Sequence, residues 1–160
     1  MIVAISDDYG IGYKNNLLWH IPEDMKRFRK LTLGHTVIMG KKTWESLPRK
    51  PLTGRKNIVI TDIPDEIIES AVTAYSIEDA LTRCEGNEDI FIIGGGSIYR
   101  QFMPLAQRLY ITHVHKKTQA DVYFPPIDPG VWKVVDREEY NGKDAADIPY
   151  SYVIYERKAI

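Results

Sequence analysis

Apolar residues fall along the chain in short, β-branched runs: Ile2–Ile5, Thr36–Met39, Asn57–Thr61, Ala71–Ala74, Asp89–Ile93, Leu109–Val114, Trp132–Val135 and Ser151–Tyr155. Each is about strand length, and Gly, Pro or Asp punctuates most of them. Several are apolar throughout, as in Ile90-Phe91-Ile92-Ile93. A strand without alternation is covered on both faces, which predicts a largely parallel sheet. Helical patterns lie between the runs. From Pro22 to Leu31, Met25, Phe28 and Leu31 share one stripe, with Lys26, Arg27, Arg29 and Lys30 mostly outside it. Pro22 suits the first helical position, Glu23 and Asp24 suit the positive helix end, and Gly34 stops the helix. Ser76 reads as the cap of a helix over Ile77–Cys84, and Ser97–Met103 reads as a helix closed by Pro104. Strands alternating with helices predict an α/β layered fold, with the last two strands, which have no helix between them, as an antiparallel pair.

One stretch breaks the rhythm. Asp7 to His20, DDYGIGYKNNLLWH, is a long irregular connection that nevertheless carries Ile11, Leu17, Leu18 and Trp19. Structureless connections longer than about 12–15 residues tend to be lids or binding loops, and a loop tucked over the core is the other reading.

Composition adds bounds. The 160 residues read as one domain, 1–160, and 44% apolar with 27% charged residues excludes a disordered or low-complexity chain. The net charge of −1 argues against general nucleic-acid or acidic-membrane binding. Cys84 is the single cysteine, so neither an internal disulfide nor a cysteine-based zinc site is expected. No apolar run approaches about 18 residues, and the N-terminal stretch lacks a basic n-region and a long h-region. A cytoplasmic protein is expected.

Two glycine turns are candidates for chemistry. Gly94-Gly95-Gly96 follows an apolar strand and precedes a helix, where a ligand can approach the backbone and free N–H groups can meet an anion. It is not the dinucleotide fingerprint, because Tyr99 stands at the third glycine position. Gly40-Lys41-Lys42-Thr43 repeats the arrangement with cations, yet His35 replaces the first glycine of a P-loop. From Lys41 to Asn57, six basic residues stand against Glu45 alone, which marks either a phosphate site or a solvated basic surface. Two such turns suggest a ligand with more than one phosphate, such as a dinucleotide. Asp24 sits one helical turn before Phe28 on the apolar stripe. It is either a solvated partner of the helix dipole or, facing a pocket, a proton-handling group. His113 and His115 share a strand face but do not make a metal site, and none is expected.

Five ordered motifs then carry a resemblance over nearly the whole chain. They are Ile11-Gly12-Tyr13-Lys14-Asn15-Asn16-Leu17-Leu18-Trp19-His20-Ile21-Pro22-Glu23-Asp24; Val37 to Ser46; Gly54 to Asn57; Phe91 to Gly95, followed by Tyr99; and Leu109 to Thr112. Together they resemble dihydrofolate reductases of the bacterial chromosomal type. The resemblance implies a mostly parallel eight-stranded sheet flanked by four helices, with the C-terminal strand antiparallel. It implies reduction of 7,8-dihydrofolate to tetrahydrofolate by hydride transfer from NADPH to C6, with protonation at N5.

Carried over by position, Asp24, Trp19, Thr112 and Leu17 would serve catalysis. Asp24 would pair with the pterin, Thr112 would hold Asp24, Trp19 would order water and Leu17 would lie in the closing loop. Ile2, Ala4, Met25, Phe28, Leu47, Arg55, Ile93 and Tyr99 would contact substrate, with Arg55 on its glutamate carboxylate. Gly12, Gly40, Lys41, Lys42, Thr43, Thr61, Gly94, Gly95, Gly96, Ser97 and Tyr99 would contact NADPH, and the Gly94–Gly95 bond would be cis. Implied partners are dihydrofolate and diaminopyrimidine antifolates, with no nucleic acid or membrane, and a monomer is expected. Leu18 and Thr53 stand where the family often has Pro. Asp62 and Ser97 stand where it often has small polar or basic residues facing the cofactor 2′-phosphate. A reductase of another pteridine or pyrimidine precursor, and a non-catalytic nucleotide-binding module, remain alternatives.

Overall fold

The structure is a computed structural model. It describes the chain except Asn15, residues 18–20, Asn87, residues 141–147 and Ile160, and for Asn16 and Leu17 the backbone alone. Strands β1 (Ile2–Ile5), β8 (Arg108–Val114), β11 (Tyr150–Arg157) and β10 (Trp132–Tyr140) form one ladder in that spatial order. A second runs β6 (Val72–Ala74), β5 (Lys56–Ile60), β4 (Thr36–Gly40), β7 (Ile90–Ile92). A third, small ladder joins β3 (Asn16–Leu17), β2 (Gly10–Tyr13) and β9 (Val122–Tyr123). The helices are α1 (Pro22–Thr32), α2 (Lys41–Ser46), α3 (Ile77–Thr82) and α4 (Gly96–Phe102).

The two four-stranded ladders share one pair of cores. Ile5, Ile38, Ile58, Ile92, Leu109 and Ile111 pack on one face. Ile2, Val37, Met39, Val59 and Phe91 pack on the other, with Tyr110 against them. Neighbours along a strand therefore point into opposite cores, which is why these runs are apolar without alternation. Val37, Ile38 and Met39 are all 0% exposed. Burying side chains of this size contributes about 1.5–3 kcal/mol each.

The expected mostly parallel eight-stranded sheet is not what forms. The sheet is mixed. Among the described residues four pairings are parallel and four antiparallel. Connections decide which. The parallel neighbours β4 and β5, like the flanking pair β4 and β7, are joined by long stretches that contain helices, while the parallel pair β5 and β6 is joined by the long irregular stretch 61–71. No helix is described between β10 and β11, and they pair antiparallel, as does β11 with β8. The expectation for the C-terminal strand holds, and four helices occur among the described residues, as expected.

The connection from Asp7 to His20 is likewise not structureless. Gly12 pairs with Leu17 and with Val122, and Asp121 N donates to the Gly12 carbonyl at 2.9 Å. Strands of two to four residues are too short to declare themselves by alternation. β10 also runs to Tyr140, five residues beyond the predicted end at Val135. The added residues, Asp136 to Tyr140, are exposed and mostly charged, so no apolar pattern marks them as strand. Ser76 caps α3 as expected, its hydroxyl accepting from Asp79 N at 2.9 Å. Met25, assigned to the buried stripe of α1, is 42% exposed, while Phe28 and Leu31 pack against the core.

Candidate active site

In the second ladder the order β6-β5-β4-β7 steps outward from β4 in both directions. The carboxyl ends of β4 and β7 thus flank a point where the strand order reverses, the usual place for a ligand crevice in such sheets. Gly40 ends β4 and Gly94 lies just past β7, and Gly40 N donates to the Gly94 carbonyl at 2.8 Å. Gly94 has φ +124°, open to glycine and strained for other residues, and the Gly94–Gly95 peptide is cis. A Cβ on Gly94 would lie 3.4 Å from the Thr43 hydroxyl and the Tyr99 ring, and one on Gly95 3.6 Å from the same hydroxyl. A Cβ on Gly96 would collide with Val122 at 2.7 Å. Val122 pairs with Gly12, so Gly12 reaches this centre through β9. Tyr99 is buried, and its hydroxyl donates to the Ile2 carbonyl at 2.8 Å. Burial raises its pKa, so it stays a neutral donor. Gly12, Gly40, Thr43, Gly94, Gly95, Gly96 and Tyr99 therefore assemble in one place.

The basic candidates divide. Lys41 opens α2, and its ammonium meets Glu66 Oε2 at 2.6 Å. Thr61, just past β5, donates its hydroxyl to the other oxygen of the same carboxylate at 2.5 Å. Glu66 raises the Lys41 pKa, and the Lys41 and Thr61 bonds lower that of Glu66. Lys42 is exposed. Ser97 is also exposed and accepts from Gln101 within α4. Glu66 was not singled out in the sequence. It lies in the polar stretch after β5, and the only available signal was an acid five residues beyond a candidate threonine.

Asp24 projects from the first turn of α1. Thr112 on β8, 88 residues away, donates to Asp24 Oδ1 at 2.6 Å. Thr112 is 3% exposed and pairs in register with Ala4 on β1. Burial raises the Asp24 pKa, against the smaller opposing effects of the Thr112 hydroxyl and the Arg27 charge. The group thus keeps a proton to higher pH than an exposed aspartate does. Arg27, one turn on, lies 4.1 Å from the ring centroid of Tyr152 on β11, and Tyr152 stands opposite Thr112 in register. Both were missed. A cation–π contact between an apparently solvated helix face and a distant strand leaves no trace in local pattern.

Phe28, Leu47 and Ile93 pack with Ile2 in the same core. Met25 is the open apolar member of this group. Arg55 is held at the far end of α1: Nη1 donates to the Thr32 hydroxyl at 3.1 Å and Nε to the Thr53 carbonyl at 3.0 Å, with Phe28 6.0 Å away. Asn57 explains the motif that follows Gly54. Its amide donates to the Leu52 and Arg55 carbonyls and its oxygen accepts from Leu52 N, fixing the loop that presents Arg55. Trp19 lies outside the described residues, and of Leu17 only the strand position is described.

The two histidines have partners that spacing did not reveal. His113 Nε2 meets the Tyr155 hydroxyl at 2.8 Å, and His115 Nε2 meets the Ser151 hydroxyl at 2.6 Å. No group of three or more potential metal ligands occurs among the described residues. No described helix is long and apolar enough to cross a membrane.

A half-buried carboxylic acid and a glycine-walled crevice at a switch point of the sheet can handle a proton and hold a phosphorylated ligand. Comparison with known proteins places the chain in a family. The family model described as dihydrofolate reductase matches residues 1–157. The dihydrofolate reductase of Neisseria meningitidis serogroup A is 46% identical over 157 residues, covering 98% of this chain and 96% of that one. The dihydrofolate reductase of Bacillus subtilis is 40% identical over 157 residues, covering 98% and 93%. A solved structure of dihydrofolate reductase from Enterococcus faecalis, complexed with NADP(H) and RAB-propyl, superposes with a TM-score of 0.89 at 30% identity. It covers 99% of this chain and 95% of that one. The chain belongs to the dihydrofolate reductase family.

Proposed function

We propose that this chain, by family an NADPH-dependent dihydrofolate reductase, converts 7,8-dihydrofolate to tetrahydrofolate by hydride transfer to C6 with protonation at N5. The observation that carries this reading is the Asp24–Thr112 pair: a carboxyl partly removed from water, one oxygen held by a buried hydroxyl. A carboxylate retains acceptor capacity when one oxygen is occupied. It can therefore accept from the amidine edge of a pterin while Thr112 fixes its rotamer. Its negative charge then favours protonated substrate and opposes the positive charge that develops as C6 is reduced. Arg27 tempers the carboxyl and Tyr152 holds Arg27 in place.

NADPH fits the crevice at the ends of β4 and β7, because Gly94, Gly95 and Gly96 leave there the room that side chains would fill. When bound, the cofactor supplies the hydride. Gly40, Thr43 and Gly94–Gly96 hold its pyrophosphate, Lys41, Lys42 and Thr61 its adenosine phosphate, and Gly12, Ser97 and Tyr99 complete the contacts. Ile2, Ala4, Met25, Phe28, Leu47 and Ile93 line the pterin and aminobenzoyl pocket, and Arg55 takes the glutamate carboxylate. Leu17 and its neighbours close over the nicotinamide, and Trp19 orders water beside the pterin. The chain works as a cytoplasmic monomer of one domain and binds diaminopyrimidine antifolates.

Nicotinamide absorbance with NADPH and dihydrofolate tests the reaction. Asp24→Asn keeps shape and removes charge. It should lower kcat by about 10²-fold or more near neutral pH, within the usual range for a proton-handling group. Activity should partly return as the pH falls and solvent protonates the substrate. Wild-type turnover from pH 5 to 9 in this variant would remove Asp24 from the mechanism. Turnover of another pteridine in preference to dihydrofolate would favour a related reductase.

A further inference from the structure

Lys41 opens α2 and Thr61 follows β5, yet their side chains converge on one carboxylate. Glu66 Oε2 accepts from Lys41 Nζ at 2.6 Å and Glu66 Oε1 accepts from the Thr61 hydroxyl at 2.5 Å. The arrangement is built rather than incidental. Glu66 N donates to the Ile63 carbonyl, and the Tyr75 hydroxyl donates to the Glu66 carbonyl at 2.8 Å. Ile63 N donates to the Thr61 oxygen at 3.2 Å, and Asp65, the residue before Glu66, turns the chain with φ +62°. About a third of the Lys41 side chain and a fifth of the Glu66 side chain remain exposed, so the pair is shielded but reachable.

We infer that Glu66 is an internal stand-in for the cofactor phosphate and sets how strongly the enzyme prefers NADPH over NADH. The inference rests on the reading above, in which Lys41 and Thr61 meet the adenosine phosphate. A carboxylate and a phosphate ask for the same donors. Lys41 has three N–H bonds and can serve two acceptors, but Thr61 has a single hydroxyl proton, and it is committed to Glu66. A phosphate that takes this proton breaks the Thr61–Glu66 bond. A phosphate that arrives without displacing Glu66 lies against a like charge. Either way the penalty falls on the phosphorylated cofactor alone, because NADH presents no phosphate to these groups. Holding Lys41 ready for the phosphate is the opposing role for Glu66, and it predicts the opposite sign.

Dissociation constants for NADPH and NADH, measured by intrinsic fluorescence on the full chain, separate the two. Glu66→Gln should tighten NADPH about tenfold and leave NADH unchanged, a modest share of what like-charge juxtaposition can cost. Glu66→Ala, which removes the carboxylate without introducing an amide, should move the NADH-to-NADPH ratio in the same direction and covers failure of the first variant to fold. A ratio that is unchanged or reduced in both folded variants overturns the inference. Lys41→Met identifies what has failed. If it collapses the ratio while the Glu66 variants leave it alone, Glu66 is not the competitor and the phosphate site stands. If it too leaves the ratio unchanged, the phosphate lies elsewhere and both readings fall.

Discussion

At the carboxyl ends of β4 and β7 the surface is backbone. Gly40 bonds to Gly94, and Gly94–Gly96 leave the space that Cβ atoms would occupy against Thr43, Tyr99 and Val122. Between α1 and β8 the surface is side chain. Asp24 is held by Thr112, Arg27 lies over Tyr152, and Arg55 is fixed by Thr32 and its own loop. The two regions answer to different physics. The first depends on φ values and on the absence of atoms, so charge-preserving changes nearby should be tolerated and added carbons should not. The second depends on particular functional groups, so isosteric changes that keep the volume and remove the chemistry should do the most harm.

Arg55→Leu tests the second region most severely. The reading above places Arg55 on a substrate carboxylate, away from the reacting carbon. Its loss should raise KM for dihydrofolate far more than it lowers kcat, the signature of binding lost equally from ground and transition states. Removing one partner of a charge-assisted pair costs about 2–5 kcal/mol. Steady-state kinetics with varied dihydrofolate gives the answer, and an ordinary KM would put Arg55 outside the site.

Gly94→Ala tests the first region. The nearest atoms to its Cβ lie at ordinary contact distance, 3.4 Å, so crowding is not the main problem. The φ of +124° is, and a non-glycine residue forced there stores about 1–3 kcal/mol. NADPH should bind more weakly and the melting temperature should fall. KM for dihydrofolate should change little. If substrate affinity fell as much as cofactor affinity, the two regions would not be separable in the way their construction suggests.

The same contrast explains what could be read in advance. The glycine turns were visible locally, because a strand, a glycine and a helix start are adjacent in the chain. The strands of both cores were visible because Val37, Ile38, Met39 and their partners are apolar on both faces. Asp24 was visible only as one acid in a helix's first turn, a common and usually solvated position. Its partner Thr112 lies 88 residues away on another element, and no local pattern links them. Motif resemblance supplied that pair. Nothing supplied Glu66, whose bonds to Lys41 and Thr61 exist only once β4, β5 and the following turn are assembled. The mixed sheet was missed for a related reason. β2, β3 and β9 are held by pairing rather than by apolar pattern, and β10 lies largely exposed.

A pH dependence of stability sharpens the comparison further. The folded pKa of Asp24 is raised by burial above its ordinary 3.8. A raised pKa means the fold prefers the protonated acid. The contribution is fully present below the unfolded pKa and is lost as pH rises through the folded pKa. Asp24→Asn, which can still accept from Thr112 through its amide oxygen, escapes that loss. It should be more stable than the wild type near neutral pH by about 1 kcal/mol, the size a relieved functional residue commonly returns. The advantage should shrink as the pH falls below the folded pKa. Denaturant melts at pH 7 and pH 4 measure this. Equal stability at both would mean that Asp24 is solvated in the folded protein, contrary to its position against Thr112.

The smallest effect concerns an exposed charge beside the backbone-built region. Asp62 follows Thr61 and adds to the negative field at Lys41, but it is exposed and solvent screens it. Glu66 shares that field and also binds both donors directly. If contact decides cofactor preference, Asp62→Ser should widen the NADPH preference by about twofold, the scale of an exposed charge pair, and Glu66→Gln by clearly more. If net charge near Lys41 decides it, the two substitutions remove the same charge and should act alike. Comparing the NADPH-to-NADH ratio at low and high salt separates these cases. The Asp62 effect should fade as ionic strength rises. The Glu66 effect should largely persist, because a hydrogen-bonded carboxylate that occupies the site is not removed by screening.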